Sequence, residues 1–224
     1  MRKFFLIMTL LLVPAITMAQ GYNRGKAQSW EFSVGAVYQL GDVADGGNGS
    51  SLEVEDELGF GFNIGYNFSD HLNVSADFDF LKPRYSAVII TQPDPPDGTM
   101  GSTTIDHKMS QFNGRLKASY YFTDGPFLPY IEAGFGWTYL DSNVASGPPT
   151  GVCWWHPWWG PICTSFVDTF SSTEFSYGGA LGIRYDLAGG SYIKFSYNLW
   201  LLDTGGSRAE PELESYRLEY GWRF

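Results

Sequence analysis

The chain has 224 residues, a formal charge of −10 at neutral pH, 17% aromatic residues and 27 glycines. That charge excludes a nucleic-acid binder, which needs a basic surface to meet phosphates. The length suits one all-β domain, and so many Tyr and Trp beside a slightly negative mean hydropathy exceed what a soluble core needs.

The first residues read as a secretory signal peptide over 1–19. Arg2 and Lys3 precede an apolar run from Phe4 to Val13, and Thr17 and Ala19 supply small residues before a cleavage point at Gln20. The run is too short for a membrane-spanning helix, which needs about 20 residues. No Cys lies near the cleavage point, so a lipoprotein anchor is not expected. Residues 20–29 then form a short periplasmic segment and 30–224 the folded domain. No second long apolar stretch follows. An exported chain without a helical span is either soluble or a barrel.

From Trp30 onward the sequence alternates. Trp30, Phe32, Val34, Ala36, Tyr38 and Leu40 interleave with Glu31, Ser33, Gly35, Val37 and Gln39. The same period of two recurs over 58–68, 72–80, 112–122, 131–139, 174–187, 193–201 and 216–224, giving eight segments. Each is about 10 residues long, the length of a tilted membrane strand. Strict alternation gives each strand one apolar and one polar face. The connections alternate too. They are short at 69–71, 123–127 and 188–190, and long over 41–57, 82–107, 140–172 and 202–213. Outer-membrane barrels have short periplasmic turns and long extracellular loops.

A soluble barrel would turn the aromatic faces inward, where eight strands leave room for little more than modest side chains. The polar faces, rich in Gly, Ser and Asn, fit that interior instead. The sequence therefore predicts an all-β, eight-stranded, antiparallel up-and-down transmembrane β-barrel with both termini periplasmic.

Inward positions then carry nearly balanced charge, which must pair because an isolated buried ion is very unfavourable. Counting levels from the turns predicts the pairs Asp77–Lys117, Asp79–Arg115 and, at the seam of the first and last strands, Glu31–Arg223. Glu132 and Arg184 are further members of the lumen ion pairs. Asp77 and Asp79 also invite an acid–base reading, but their Lys and Arg neighbours favour structural pairing. Trp200 is expected inside as filler. Such a lumen is plugged by side chains and disfavours a general porin.

Two long connections hold candidate surface features. Asp42, Asp45, Glu53, Glu55, Asp56 and Glu57 lie together without a base, either as a solvated loop or as a divalent-cation site bridging lipopolysaccharide phosphates. Cys153 and Cys163, the two cysteines of an exported chain, are expected to form a disulfide. Between them lie Trp154, Trp155, His156, Trp158 and Trp159. These aromatics either pack on the rim and dip into the outer leaflet or form a contact surface for a partner. His156 alone builds no metal site, and His71 lies in a turn at the other end. No metal, cofactor or catalytic residue is expected.

The final strand ends Leu218, Tyr220, Trp222, Phe224 on alternate positions. On this strand and the architecture, the chain resembles the small outer-membrane β-barrel family of the OmpA transmembrane-domain and OmpX type, over essentially the whole mature length. The resemblance implies that Leu218, Tyr220, Trp222 and Phe224 serve as the signal read by the barrel-assembly machinery, while also facing lipid. It implies outer-membrane lipid and lipopolysaccharide as surroundings, and a structural or surface-interaction role through extracellular loops. No peptidoglycan-binding domain is expected after Phe224. Two alternatives stand: a narrow OmpW-like channel for small or apolar solutes, and a lipid A-modifying enzyme, for which His107 and His156 would be the outer-rim bases, although neither stands beside a Ser in a motif.

Overall fold

The computed structural model describes residues 25–47, 49–91, 101–145, 150–156, 158, 160–166, 169–203 and 211–224. The signal peptide expected over 1–19 lies outside the described residues. Among those described, the chain forms fourteen strands. They are β1 (Ser29–Gln39), β2 (Asp42–Gly47), β3 (Ser50–Val54), β4 (Glu57–Asn67), β5 (Leu72–Leu81), β6 (Arg84–Thr91) and β7 (Gly101–Lys108). The rest are β8 (Ser110–Tyr121), β9 (Phe127–Ala145), β10 (Thr150–His156), β11 (Gly160–Phe166), β12 (Thr169–Asp186), β13 (Ser191–Asp203) and β14 (Glu212–Arg223).

Eight of them close a barrel in the order β1-β14-β13-β12-β9-β8-β5-β4. Every pairing is antiparallel, including the seam of first and last strands, where Glu31 lies opposite Arg223 and Gln39 opposite Ser215. Closure leaves no free edge, so each strand satisfies its backbone on both sides.

The period-two pattern becomes inside and outside. Along β13, Tyr192, Lys194, Ser196, Asn198, Trp200 and Leu202 are buried, while Ile193, Phe195 and Leu199 are exposed. On β14, Leu218 is 54% exposed and its neighbours Arg217 and Glu219 are each 2% exposed. The buried set is thus mostly polar and the exposed set apolar, the reverse of a water-soluble protein. Outside, aromatic rings stack across strands, such as Phe62 on Phe78 at 5.0 Å and Phe60 on Phe80 at 5.1 Å.

Glycine makes room for the large inward side chains. A Cβ on Gly61 would lie 2.2 Å from the Asp79 carboxylate, and one on Gly221 would lie 2.3 Å from the Tyr192 ring. At one end the short turns reverse the chain. Gly125, Gly189 and Gly190 take positive φ there, and the Ser69 hydroxyl accepts the His71 and Leu72 N–H groups.

The other end departs from the sequence reading. Stretches 41–57 and 82–107, expected as loops, fold largely into strands that make a four-stranded sheet in the order β2-β3-β6-β7. Stretch 140–172 is also partly strand. β9 and β12 run 19 and 18 residues, pairing as far as Ala145 with Thr169, and β10 and β11 form a separate hairpin. The physical reason is backbone pairing: chain leaving the barrel carries unpaired N–H and C=O groups, and adjacent segments such as Tyr85–Val88 with Ser51–Val54 satisfy one another.

Candidate functional site: the charged lumen and the loop end

The middle of the lumen is one ion network. Arg217 on β14 reaches across the interior, with Nη2 2.6 Å from Asp77 Oδ1, Nη1 2.5 Å from Asp79 Oδ1 and Nε 2.9 Å from Glu219 Oε1. Arg115 Nη1 lies 3.2 Å from Asp79 Oδ2, and Lys117 Nζ lies 3.2 Å from Asp77 Oδ2. Lys117 also meets Glu132 Oε1 at 2.8 Å, and Lys194 approaches Glu132 Oε2 at 3.8 Å. The Ser119 hydroxyl donates to Glu132 at 2.7 Å, and the Ser33 hydroxyl to Glu219. Asp77, Asp79, Glu132 and Glu219 thus face Arg115, Lys117, Lys194 and Arg217 with no net charge. Each of these side chains is 7% exposed or less.

One expected pairing is corrected. Glu31 is opposite Arg223 in register, yet its Oε2 is bound by Arg184 Nη1 at 2.8 Å. Arg223 sits half-exposed at the strand end, where water solvates its guanidinium. Arg184 is 1% exposed and has greater need of a carboxylate. It also holds Asp186 through Nε and stacks 3.8 Å over the Tyr192 ring. Glu132 and Arg184, the further expected members, both stand in lumen ion pairs, Glu132 with Lys117 and Lys194, and Arg184 with Glu31 and Asp186.

The short-turn mouth carries a residue that sequence reasoning missed. Lys26, just before β1, is 7% exposed with its ammonium 4.2 Å above the Tyr121 ring. Burial, with the Arg184 charge as the next cause, lowers its pKa to about 8. The segment is tied down by Ala27 N–H donating to Asp70 Oδ1 at 3.0 Å. Its sequence signal was slight, one Lys in a short polar stretch before the first strand.

Toward the loop end the lumen changes character. Trp200 is 1% exposed and Arg115 stacks 4.4 Å over its ring, so the expected filler is also a cation–π partner. Above it Gln39 and Gln111 form a reciprocal amide pair, with N···O distances of 3.2 and 2.8 Å. The loop sheet is fastened to the rim. Asp56 accepts the Tyr38 hydroxyl and the Gly41 N–H, both at 2.7 Å, and the Tyr85 hydroxyl donates to the Ser142 carbonyl at 3.0 Å. The first two bonds, in that order, hold the Asp56 carboxyl below the usual range. Among the described residues no three His, Cys, Asp or Glu gather closely enough to hold a metal ion.

In the hairpin, Cys153 lies opposite Cys163, Trp154 opposite Ile162, Trp155 opposite Pro161 and His156 opposite Gly160. For these residues the backbone alone is described. Trp158 is 82% exposed, and Trp159 lies outside the described residues.

The family model described as the outer membrane protein beta-barrel domain matches residues 6–224. The chain belongs to this family. Similar solved structures include the outer membrane protein OprG from Pseudomonas aeruginosa, 16% identical over 89% of this chain and 97% of that one, with a TM-score of 0.55. Neisserial surface protein A is 13% identical over 87% and 95%, with a TM-score of 0.50. Ail, the attachment invasion locus protein of Yersinia pestis, is 15% identical over 88% and 99%, with a TM-score of 0.49. At these identities the likeness is one of fold. No curated protein sequence matches the chain.

As an outer-membrane β-barrel of bacteria, the protein meets lipid with its apolar outer face. Leu218, Tyr220 and Phe224 are exposed there, and Tyr220 packs edge-on against Trp222 at 4.8 Å. Phe224 closes the seam by exchanging backbone hydrogen bonds with Trp30, both at 2.9 Å.

Proposed function

We propose that this outer-membrane barrel is a non-conducting, non-catalytic surface protein that acts through its loop end. The observation that carries this reading is the lumen. The Arg217-centred network, Trp200 with Arg115 stacked on its ring and the Gln39–Gln111 pair occupy the interior, and Lys26 fills the opposite mouth. Eight strands leave no space beside such side chains for a water-filled path. The refolded protein in planar bilayers is expected to give no steady current. A steady, reproducible conductance would replace this reading with that of a narrow channel.

In this reading the short turns and both termini face the periplasm, and the sheet of β2, β3, β6 and β7 stands outside the cell with the β10–β11 hairpin. The asymmetry of connection lengths supports that orientation. Directly opposed residues of antiparallel strands have Cα atoms roughly 4.5–5.5 Å apart, within the range a disulfide bridges. Cys153 and Cys163 therefore staple the hairpin that presents Trp158. The Trp-rich tip serves as the contact element toward a partner or a lipid and lipopolysaccharide surface. Replacing Trp158 with Ala, or both cysteines with Ser, is expected to reduce cell-surface adhesion without changing the barrel's heat-modifiable gel mobility. The strand Leu218, Tyr220, Trp222, Phe224 serves recognition by the barrel-assembly machinery.

Catalysis at the outer rim would need a nucleophile beside a base. His107 instead accepts its neighbour Lys108 N–H at 2.8 Å, and His71 lies at the short-turn end against the Tyr121 carbonyl. Lipid A from a deletion strain is accordingly expected to have an unchanged mass spectrum.

A further inference from the structure

The ion network does not fill the whole interior. Above the Gln39–Gln111 pair, the loop end of the barrel holds a partly enclosed cavity of about 200 Å³. Its walls come from two sources. Met109, Leu140 and Leu202 belong to the barrel rim, and Leu52 and Val54 lean in from β3 of the loop sheet. The cavity exists because that sheet roofs the rim; without β3 it would be an open depression.

Its chemistry is divided. The body is lined by leucines, valine and methionine, and the two amides at its base satisfy each other, so they demand no polar ligand group. Its charged lining residues are all acidic: Asp42, Glu174 and Glu212, with no Lys or Arg among the described residues that line it. Asp42 and Glu212 are exposed and Glu174 is half-exposed, and together they set a negative potential at the entrance. They do not converge as a metal site would.

We propose that this vestibule binds small organic cations with a single-ring apolar body, such as arylalkylammonium ions. An apolar cavity of about 150 Å³ is enough to take up benzene, so this one admits a ring with a short substituent. Burial of the ring supplies the attraction. The ammonium group remains at the entrance among Asp42, Glu174 and Glu212, where it keeps much of its hydration. The proposal does not depend on a sealed lumen or on which end of the barrel faces outward.

The test uses the full mature chain refolded in zwitterionic lipid nanodiscs, with binding followed by saturation-transfer NMR and calorimetry. Benzyltrimethylammonium is the probe, with toluene and benzenesulfonate as its neutral and anionic counterparts. Saturable binding of the cation is expected, stronger than that of toluene and at least roughly fivefold stronger than that of benzenesulfonate. The triple change Asp42→Asn, Glu174→Gln, Glu212→Gln is expected to remove that preference while toluene binding persists. Leu52→Trp, which fills the cavity from the loop sheet, is expected to abolish binding of both. Retained heat-modifiable mobility identifies variants that are folded. Absence of saturable cation binding, equal affinity for cation and anion, or unchanged binding in folded Leu52→Trp would overturn the proposal. Bilayer conductance of the same preparation reads the sealed-lumen question separately.

Discussion

Below Trp200 the barrel interior is filled with charge neutralised in place, whereas above Gln111 it is lined by leucines and left partly open. The two regions share β8, β9, β13 and β14 and differ in what a side chain requires there. A buried ion must find a partner, so the side chains of the middle lumen are held by mutual constraint among Arg217, Asp77, Asp79, Lys117 and Glu132. A buried leucine requires only exclusion from water and can wall a cavity without filling it. Polar pairing therefore fixes the side chains of the middle lumen, and apolar lining makes the space that can receive something.

The ion network is most vulnerable at its hub. Arg217→Met removes the cation shared by Asp77, Asp79 and Glu219, leaving Asp77 to Lys117, Asp79 to Arg115 and Glu219 to the Ser33 hydroxyl, one buried positive charge short. The expected loss is about 3–5 kcal/mol of folding free energy, read as a lower urea midpoint for folding into lipid vesicles. A loss below about 1 kcal/mol, the scale of an exposed ion pair, would mean that the network is hydrated and does not hold the barrel closed. A smaller effect is expected from Gly61→Ala. Its methyl group would press on the Asp79 carboxylate and the Arg217 guanidinium beside it, at about 1–3 kcal/mol for overpacking. The same measurement checks it, and an unchanged midpoint would show that the plug can yield at that point.

The ion network of the lumen was partly legible in the sequence. Asp79 with Arg115 and Asp77 with Lys117 lie on adjacent strands β5 and β8, so counting positions finds them. Arg184 on β12 reaching Glu31 on β1, and Arg217 on β14 reaching Asp77 on β5, cross the lumen between strands that are not neighbours. Such contacts depend on the shear of the closed barrel, which alternation does not encode. The outward face was the easier half, because lipid asks for apolar side chains at every second position and little more. The loop sheet was obscured for the opposite reason. β3 and β6 come from separate connections, the first rich in Gly, Asp and Glu and the second in Pro and Thr, and their pairing, Ser51 with Val88 and Val54 with Tyr85, is long-range. The cavity that the sheet roofs was hidden with it.

The two mouths can be distinguished by titration. Lys26 closes the short-turn end as a buried cation over Tyr121, with its pKa lowered from 10.5 to about 8. The folded state then binds fewer protons than the unfolded chain between those values, so docking of the 25–28 turn is expected to strengthen as pH rises across that window. A ¹³C NMR titration of the Lys26 side chain is expected to show a midpoint near 8. A midpoint at the ordinary lysine value would mean that the ammonium lies in water and that this mouth is open.

At the loop end the sign is reversed and the effect smaller. The Tyr38 hydroxyl and Gly41 N–H hold the Asp56 carboxyl below its usual range, and this contact fastens the start of the loop sheet to the rim. A depressed carboxyl contributes stability that is fully present above its unfolded pKa and lost as pH falls through the folded one. Tyr38→Phe removes the larger of the two causes, so the Asp56 pKa is expected to rise toward the ordinary value and acid loosening of the sheet to begin at higher pH. Carboxyl ¹³C shifts measure the first effect, and amide exchange in β3 and β6 the second. The barrel's gel mobility is expected to stay unchanged, because the Arg217 network does not include Asp56. Simultaneous loss of barrel and sheet would show that the roof of the vestibule and the plug beneath it form one cooperative unit.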